Sequence, residues 1–251
     1  MKIACIVLAS GNSRRFKKSK SKLFYKVFGS PLIEYTLKNL IKYINKDAIY
    51  ITIQKKITKN EKNILLKYTS NELIIGGNTR FKSLKNALKA ITQYKYDAIM
   101  IHDAARPNTP SRIINSLIKE IKSKRIDCSV PSMRVEDTIR FKNETLDRSN
   151  YTIYQTPQIF KSNLILKSVN KITTNPTDDL GIVEHNKKLK IKYINYSKEN
   201  IKITSGEDID IFKKLISKKF LFGNGFDIHQ IKEGKYLMLA GLKIKSKYKT
   251  I

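Results

Sequence analysis

Cysteine is scarce in this sequence, and long apolar runs are absent. The chain of 251 residues has two cysteines, Cys5 and Cys128, and each lies in a short apolar run. Such cysteines are expected to be buried, reduced thiols rather than a disulfide framework. The apolar runs are far too short to cross a bilayer, and no charged and then apolar leader follows Met1. We therefore expect a cytoplasmic protein with no membrane partner.

Acidic residues are also few, since 21 Asp and Glu face 50 Lys and Arg, and the formal net charge is +29. A strongly basic chain often binds nucleic acid. Here lysine carries the excess, because only nine of the basic residues are arginines and the lysines are scattered along the chain. A nucleic-acid surface more often clusters arginine with aromatic residues. The charge therefore indicates solvated lysines, and we expect no nucleic-acid partner.

The chain alternates strand-like and helical patterns. Hydrophobic residues make up 41% of it, enough for one core with a small appendage. Pro31 suits a first helical turn and Ser111 a helix N-cap. The alternation predicts a Rossmann-like α/β fold, with a mostly parallel sheet, helices on both faces and ligands at the carboxyl ends of the strands. The predicted strands are 3–9, 48–53, 72–75, 98–101 and 127–131, and the predicted helices are 31–41, 60–68, 80–91 and 111–121.

Residues 134–153 break this alternation with charged, β-like segments. Such an excursion has no obvious place in a parallel sheet. It predicts a projecting β arm that contacts another subunit.

The first strand leads directly into a loop suited to phosphate. Small residues, Ala9, Ser10 and Gly11, allow backbone N–H groups to approach an anion, and Arg15 and Lys22 add positive charge. The spacing fits neither the P-loop nor the dinucleotide-binding glycine pattern. It favours a sugar-nucleotide type of transferase, although an ordinary strand-to-helix turn with solvated basic residues remains an alternative.

Two further strand ends carry polar groups. The segment Gly76-Gly77-Asn78, followed by Arg80 and Ser83, could bring backbone against a base or a phosphate, or could be a simple glycine turn before a helix cap. The segment from His102 to Pro107 places Asp103 where it suits a hydroxyl or a hydrated metal ion, and Arg106 where it suits a phosphate. The alternative for Asp103 and Arg106 is a buried pair that shapes the loop, and His102 is expected to be packed.

Taken in order, these segments resemble the 2-C-methyl-D-erythritol 4-phosphate cytidylyltransferases of the non-mevalonate isoprenoid pathway. The intact run His102–Pro107 is the most distinctive match, and the resemblance extends to about residue 216. Later segments contribute to it, namely Asp147-Arg148, 156–158, 177–179 and 200–204. The sequence departs from the family at Ser13, Ser21 and Leu23, which affects the shape of the first loop.

The resemblance implies that the domain 1–218 transfers CMP from CTP to 2-C-methyl-D-erythritol 4-phosphate and releases pyrophosphate, with Mg²⁺ on the phosphates. It also implies a homodimer in which the arm completes the neighbouring site. The implied catalytic residues are Arg15, Lys22, Arg148 and Lys202. The implied nucleotide-binding residues are Ala9, Ser10, Gly11, Gly76, Gly77, Asn78 and Ser83, and the implied substrate-binding residues are Asp103, Arg106, Thr138 and Arg148. Transfer to another polyol phosphate, such as ribitol phosphate, is the main alternative.

The segment 219–251 is similar to the start of 2-C-methyl-D-erythritol 2,4-cyclodiphosphate synthase. Its Asp227 and His229 match two ligands of that family's divalent metal, typically zinc. The family's third ligand has no counterpart, because no histidine follows His229. We therefore expect an incomplete metal site, Zn²⁺ or another divalent metal only in a complete domain, and no cyclase activity.

Overall fold

The computed structural model describes residues 1–13, 15–16, 21–217 and 228–251, which form two compact units, Met1–Ile216 and Ser217–Ile251. The helices are α1 (Leu32–Leu40), α2 (Lys59–Leu66), α3 (Arg80–Ile91), α4 (Ser111–Ile121), α5 (Ser162–Ser168) and α6 (Glu207–Ile216). The strands of the first unit are β1 (Ile3–Leu8), β2 (Lys26–Val27), β3 (Ser30–Pro31), β4 (Ile49–Ile53), β5 (Ile74–Ile75), β6 (Ala98–Asp103), β7 (Cys128–Arg134), β8 (Ile139–Phe141), β9 (Glu144–Leu146), β10 (Thr152–Tyr154), β11 (Gln158–Lys161) and β12 (Ile191–Asn195).

A mostly parallel sheet organises the first unit. Strands β5, β4, β1 and β6 are neighbours in that order and run parallel, and β7 pairs in parallel with β12. Strand β1 lies inside the sheet between β6 and β4, and its residues from Ala4 to Val7 are fully buried, as expected for an apolar run covered on both faces. The carboxyl ends of β1 and β6 therefore open at the same edge of the sheet.

Helices cover both faces because alternate residues of β1 point in opposite directions. Cys5 and Val7 pack into one core with residues of α1, α2 and α4. Ala4 and Ile6 pack into a second core with residues of α3 and α5. The predicted Rossmann-like α/β fold with helices on both faces is confirmed.

Several predicted boundaries were wrong in detail. Strand β6 extends through Asp103, because Val7 and Leu8 continue its pairing, so His102 and Asp103 are strand residues. Pro110, not Ser111, is the N-cap of α4. Strand β5 is shorter than the predicted 72–75. The sequence reasoning also missed β11, which lies antiparallel between β6 and β7.

The arm also needs a correction to its bounds. Arg134 ends β7, and Thr152 and Ile153 belong to β10, which pairs antiparallel with β7. Both ends of the predicted arm 134–153 are therefore part of the main sheet. Between them, β8 and β9 form a two-stranded hairpin separate from that sheet.

The second unit contains β13 (Ile231–Glu233), β14 (Tyr236–Leu239), β15 (Leu242–Lys245) and β16 (Tyr248–Thr250). Strands β14 and β15 form a hairpin whose turn places Ala240 and Gly241 at positive φ, and β13 pairs with β16. Its apolar side chains are largely exposed, for example Leu242 at 68%. Across the described part of the chain, no helix combines the length and apolar character needed to span a membrane.

Candidate active site

Hydrogen bonds hold the loop after β1 against the end of β4. The Ala9 N–H donates to both the carbonyl and the hydroxyl of Thr52, each at 3.1 Å. Further along, Gln54 Nε2 donates to the Gly11 carbonyl at 3.0 Å. Ser10 and Gly11 are thereby held at the wall of a cavity of about 220 Å³.

The glycine turn before α3 forms the opposite wall and depends on the Ser83 hydroxyl. Ser83 Oγ accepts from the Gly77 N–H at 3.0 Å and from Ser10 Oγ at 2.8 Å, and it donates to the Thr79 carbonyl at 2.9 Å. A Cβ at Gly76 would lie 2.3 Å from Ser10 Oγ. Only glycine permits this close approach of the two loops.

Asp103, the last residue of β6, is surrounded by three cations. Its Oδ1 accepts from Arg80 Nε at 3.1 Å, and its Oδ2 lies 2.7 Å from Lys202 Nζ and 4.0 Å from Arg106 Nε. Burial alone would raise the pKa of this carboxyl group, but the nearby cations, Arg80 first among them, hold it well below its usual range. Asp103 is therefore a carboxylate at neutral pH.

Arg80 is itself fixed by a second carboxylate. Its Nη1 and Nη2 donate to the two oxygens of Asp179 at 2.5 Å and 2.7 Å, and Asp179 is fully buried. Burial raises the pKa of Asp179, while Arg80 opposes that shift. Because both ends of the guanidinium are occupied, Arg80 serves to orient Asp103 rather than to bind a phosphate.

Lys22 lies in a short 3-10 turn, Lys22–Phe24, at the cavity wall. Its Nζ donates to the Ile203 carbonyl at 2.6 Å. Burial, followed by the positive charge of Lys202, lowers the pKa of Lys22. Two lysines from distant parts of the chain thus converge on one cavity, which raises its positive potential and suits an anion.

Arg106 and His102 do not line the cavity but lie next to residues that do. Arg106 Nη1 donates to the Asn200 carbonyl at 2.7 Å, and burial lowers the pKa of Arg106. His102 is buried with Nε2 3.3 Å from Thr109 Oγ1, and burial lowers its pKa to about 4. His102 is therefore a neutral, packed histidine, and Arg106 supports Asp103 and the Asn200 segment.

The cavity brings together most of the residues singled out from the sequence. Those that line it are Ser10, Gly11, Lys22, Gly77, Asn78, Arg80, Ser83, Asp103 and Lys202. Ala9, Gly76 and Arg106 instead support the lining through the contacts above. Arg15 is exposed and close enough to Lys22 to lower its pKa, and Arg14 lies outside the described residues.

The two arm residues are not part of this cavity. Thr138 and Arg148 are both exposed, and Arg148 Nη1 donates to the Glu136 carbonyl within the arm. Within the described part of one chain, therefore, Thr138 and Arg148, which the resemblance implies bind the substrate, do not line the cavity.

Residues 3–218 match the family model IspD, 2-C-methyl-D-erythritol 4-phosphate cytidylyltransferase. The chain belongs to this cytidylyltransferase family. The resemblance inferred from the sequence is confirmed, and the first unit is a nucleotidyltransferase domain. The cavity described above therefore lies in a cytidylyltransferase fold, at the strand ends where the sequence motifs of the domain meet.

Relatives of the cytidylyltransferase domain include longer proteins. A bifunctional enzyme IspD/IspF from Pelagibacter ubique is 35% identical over 251 residues, covering 98% of this chain and 65% of the relative. The structure of the bifunctional IspDF from Campylobacter jejuni has a TM-score of 0.71 at 33% identity, covering 98% of this chain and 64% of that one. The chain thus spans just under two thirds of the length of these relatives.

A shorter solved relative resembles the cytidylyltransferase unit throughout its length. The 2-C-methyl-D-erythritol 4-phosphate cytidylyltransferase of Francisella tularensis has a TM-score of 0.70 at 28% identity, covering 86% of this chain and all of that one. This supports the assignment of the first unit as a cytidylyltransferase domain in its own right.

Sequence reasoning missed two residues that build the cytidylyltransferase cavity. Asp179 and Asn200 fall in segments that had been noticed for their order in the chain, but no role was assigned to them. Their partners, Arg80 and Thr109, are 99 and 91 residues away. The sequence shows that Asp179 and Asn200 are polar, but it does not show that the fold buries them completely.

The predicted metal ligands Asp227 and His229 belong to the second unit. Asp227 lies outside the described residues, and His229 is exposed. Within the described ranges, no three His, Cys, Asp or Glu side chains are grouped so that they could hold a metal ion.

Proposed function

We propose that the first unit transfers CMP from CTP to 2-C-methyl-D-erythritol 4-phosphate and releases pyrophosphate. The observation that carries this proposal is the cavity in which Lys22, Asp103 and Lys202 meet two phosphate- and base-compatible loops. Family membership makes the same reaction the expected one for residues 3–218.

The reaction is a displacement at the α-phosphorus of CTP. A phosphate oxygen of the acceptor forms the new P–O bond, and the bond to the β-phosphate breaks as pyrophosphate leaves. The attacking oxygen is already anionic, so no base is needed to activate it. The protein must instead hold two polyanions in line and stabilise the charge of the transition state.

Lys22 and Lys202 are the cations suited to that task. Lys22 is partly buried and held by the Ile203 carbonyl, so it is preorganised toward the α-phosphate and adjacent phosphates. Lys202 is 43% exposed and paired with Asp103, so it can turn toward an incoming phosphate. Arg15, on the exposed loop, would contact the outer phosphates of the triphosphate.

Asp103 is the residue proposed to recognise the acceptor. An ionised carboxylate accepts hydrogen bonds from polyol hydroxyl groups, and its orientation is fixed by Arg80 on one oxygen. Cytosine would be read by backbone groups of Gly11 and of Gly76–Asn78. Ser83 would assist by fixing that turn, because its hydroxyl already makes three hydrogen bonds.

Magnesium fits this site only with the nucleotide present. Among the described residues that line the cavity, Asp103 is the one carboxylate, and Mg²⁺ at nucleotide sites takes one or two carboxylates together with phosphate oxygens and water. Because Asp103 is already paired with Arg80 and Lys202, phosphate oxygens and water would supply most of the ligands, and the ion would screen phosphate charge.

The proposed assembly is a homodimer through the β8–β9 hairpin. Thr138 and Arg148 are exposed and outside the cavity of their own chain, which supports a role in the neighbouring subunit. There they would bind the phosphate of the acceptor. The proposed compartment is the cytoplasm.

Transfer to ribitol phosphate is not favoured, because the family match is to the methylerythritol phosphate enzymes. Nucleic-acid binding is likewise not favoured, because the converging cations enclose a cavity rather than a flat surface. For the segment 219–251 we propose no cyclase activity and no tight zinc site.

Pyrophosphate release tests the proposal. Purified protein with Mg²⁺, CTP and 2-C-methyl-D-erythritol 4-phosphate should release pyrophosphate, whereas omission of the acceptor or replacement of CTP by UTP should largely abolish release. Absence of release with the complete mixture would overturn the proposed function.

A further inference from the structure

Asn200 is fully buried, and each polar group of its side chain has a partner. Its Nδ2 donates to Gln155 Oε1 at 2.8 Å and to the Thr156 carbonyl at 2.9 Å, and its Oδ1 accepts from Thr109 Oγ1 at 2.8 Å. This set needs two donors and one acceptor, which an amide supplies. A carboxylate of the same shape has no N–H group to donate.

The partners of Asn200 belong to the segments that hold Asp103. Thr156 Oγ1 accepts from the Asp103 N–H at 3.1 Å. Arg106, three residues after Asp103, donates through Nη1 to the Asn200 carbonyl at 2.7 Å. Asn200 therefore joins the end of β6, the start of β11 and its own segment at one buried point.

The segment joined in this way carries Lys202. The Ile203 N–H donates to the Ala105 carbonyl at 2.8 Å, and the Ile203 carbonyl accepts from Lys22 Nζ at 2.6 Å. The side chain of Lys202 is 43% exposed, and its Nζ lies 2.7 Å from Asp103 Oδ2. Because this side chain is long and flexible, the contact forms only where the backbone brings Lys202 within reach of Asp103.

We infer that Asn200 is a positioning residue, whose buried amide holds the Lys202 segment against the strand end that carries Asp103. The inference rests on the proposed function, since it assigns to Lys202 a role in phosphoryl transfer. Loss of the Asn200 amide should misplace Lys202, and a displacement of about 1 Å at a reacting centre can cost about a hundredfold in rate.

Two sets of variants test the amide. Asn200→Asp removes both Nδ2 donors, and kcat should fall by about a hundredfold while the KM for CTP changes far less. Thr109→Val removes the donor to Oδ1, together with the hydroxyl that lies 3.3 Å from His102 Nε2, and should lower kcat to a smaller extent. Thr109→Ser, which keeps a hydroxyl, should restore it. The matched control is Ser129→Ala, because Ser129 is equally buried and donates to the Lys192 carbonyl at 3.0 Å away from the cavity. It should lower stability without lowering kcat.

The decisive comparison is between the effect of these substitutions in the wild-type protein and their effect in a variant that lacks the Lys202 side chain. In a Lys202→Ala background, Asn200→Asp or Thr109→Val should lower kcat by no more than about twofold, because the group that Asn200 positions is gone. An undiminished fall in that background would overturn the inference. So would equal falls in kcat for Ser129→Ala and Thr109→Val.

Hydrogen exchange separates this inference from the proposed function. In the wild-type protein and in Thr109→Val, without substrate, exchange is measured for the peptide that contains Ile203. Faster exchange in Thr109→Val, with β1 still protected, would support the anchoring, and unchanged exchange would overturn it. A wild-type protein without transferase activity would overturn the proposed function, while the exchange rates would still decide whether Asn200 anchors this segment.

Discussion

Asp179 and Arg80 form a bidentate ion pair at the cavity wall, with N–O distances of 2.5 Å and 2.7 Å. The same guanidinium donates through Nε to Asp103 at 3.1 Å. A planar guanidinium held at both ends fixes the geometry of both carboxylates. Asp179 therefore determines where the proposed acceptor-binding carboxylate points, although it does not line the cavity itself.

Replacement of Asp179 by Asn should destabilise the protein strongly. It would leave the charge of Arg80, whose side chain is 25% exposed, partly uncompensated, and breaking a buried pair typically costs about 3–5 kcal/mol. The free energy of unfolding is measured by urea denaturation. The control is Glu136→Gln, since Glu136 pairs with Lys198 at 3.4 Å on the surface and such pairs contribute little. Equal losses in the two variants would contradict this account of the ion pair.

The Lys22→Ala variant should retain its fold and lose most of its turnover. Removing one preorganised group from the transition state costs about a hundredfold to a thousandfold in kcat. Steady-state pyrophosphate release measures the fall, and circular dichroism checks the fold. Lys26→Ala, at an exposed lysine four residues further on, is the control and should turn over normally. Near-normal turnover in folded Lys22→Ala would remove Lys22 from the mechanism.

His102 should make stability depend on pH. Burial lowers its pKa to about 4 in the folded protein, whereas the unfolded chain takes up the proton near the usual value of about 6.5. The contribution of neutral His102 to the free energy of unfolding is fully present above about pH 6.5. It is lost as the pH falls toward 4, by up to about 3 kcal/mol. His102→Gln should flatten the stability curve in that range. His185→Gln, at an exposed histidine, should keep the wild-type slope, and an unchanged slope in His102→Gln would contradict the prediction.

The centre of the fold could be predicted from the sequence because its signal is local. Strands β1, β4 and β6 are apolar runs, and α3 and α4 have regular apolar spacing, so each is visible within a short window. Strand β11 was missed because its place between β6 and β7 depends on pairing with distant residues such as Met100 and Ser129. Its own residues, which follow Thr156-Pro157, contributed to the family resemblance, but no strand was predicted there.

Of the candidate site, the residues that lie in local motifs could be predicted from the sequence. Lys22, Asp103 and Lys202 occur in recognisable segments, and strand-end placement explains why they meet. Asp179 pairs with Arg80, 99 residues away, and Asn200 bonds to Thr109, 91 residues away, and to Gln155, 45 residues away. No local pattern carries such a pairing, because an Asp or Asn in a loop is usually solvated, and only the assembled fold buries these two.

Subunit mixing tests the proposed arm. If Arg148 completes the neighbouring site, a dimer of one Arg148→Ala chain and one Lys22→Ala chain contains one site without either substitution. Mixing the two inactive variants should therefore restore part of the activity. Each variant mixed with wild-type protein controls for exchange, which native mass spectrometry can follow. No recovery despite proven exchange would indicate that each site is built within one chain.

The C-terminal segment should bind no zinc tightly. Asp227 and His229 offer two ligands, whereas zinc sites in proteins use three protein ligands and a water, or four protein ligands. Elemental analysis of the protein after dialysis should find far less than one zinc per chain. One zinc per chain that is lost in His229→Ala and retained in His185→Ala would contradict this prediction.

A competition between acceptors tests the central claim most directly. The protein is incubated with CTP, Mg²⁺ and equal amounts of 2-C-methyl-D-erythritol 4-phosphate and ribitol 5-phosphate, and the cytidylylated products are identified by mass spectrometry. We predict the methylerythritol product, with one pyrophosphate for each product formed, and at least about a hundredfold less product from Lys22→Ala in the same time. A preference for ribitol phosphate, or the absence of any cytidylylated product, would contradict it.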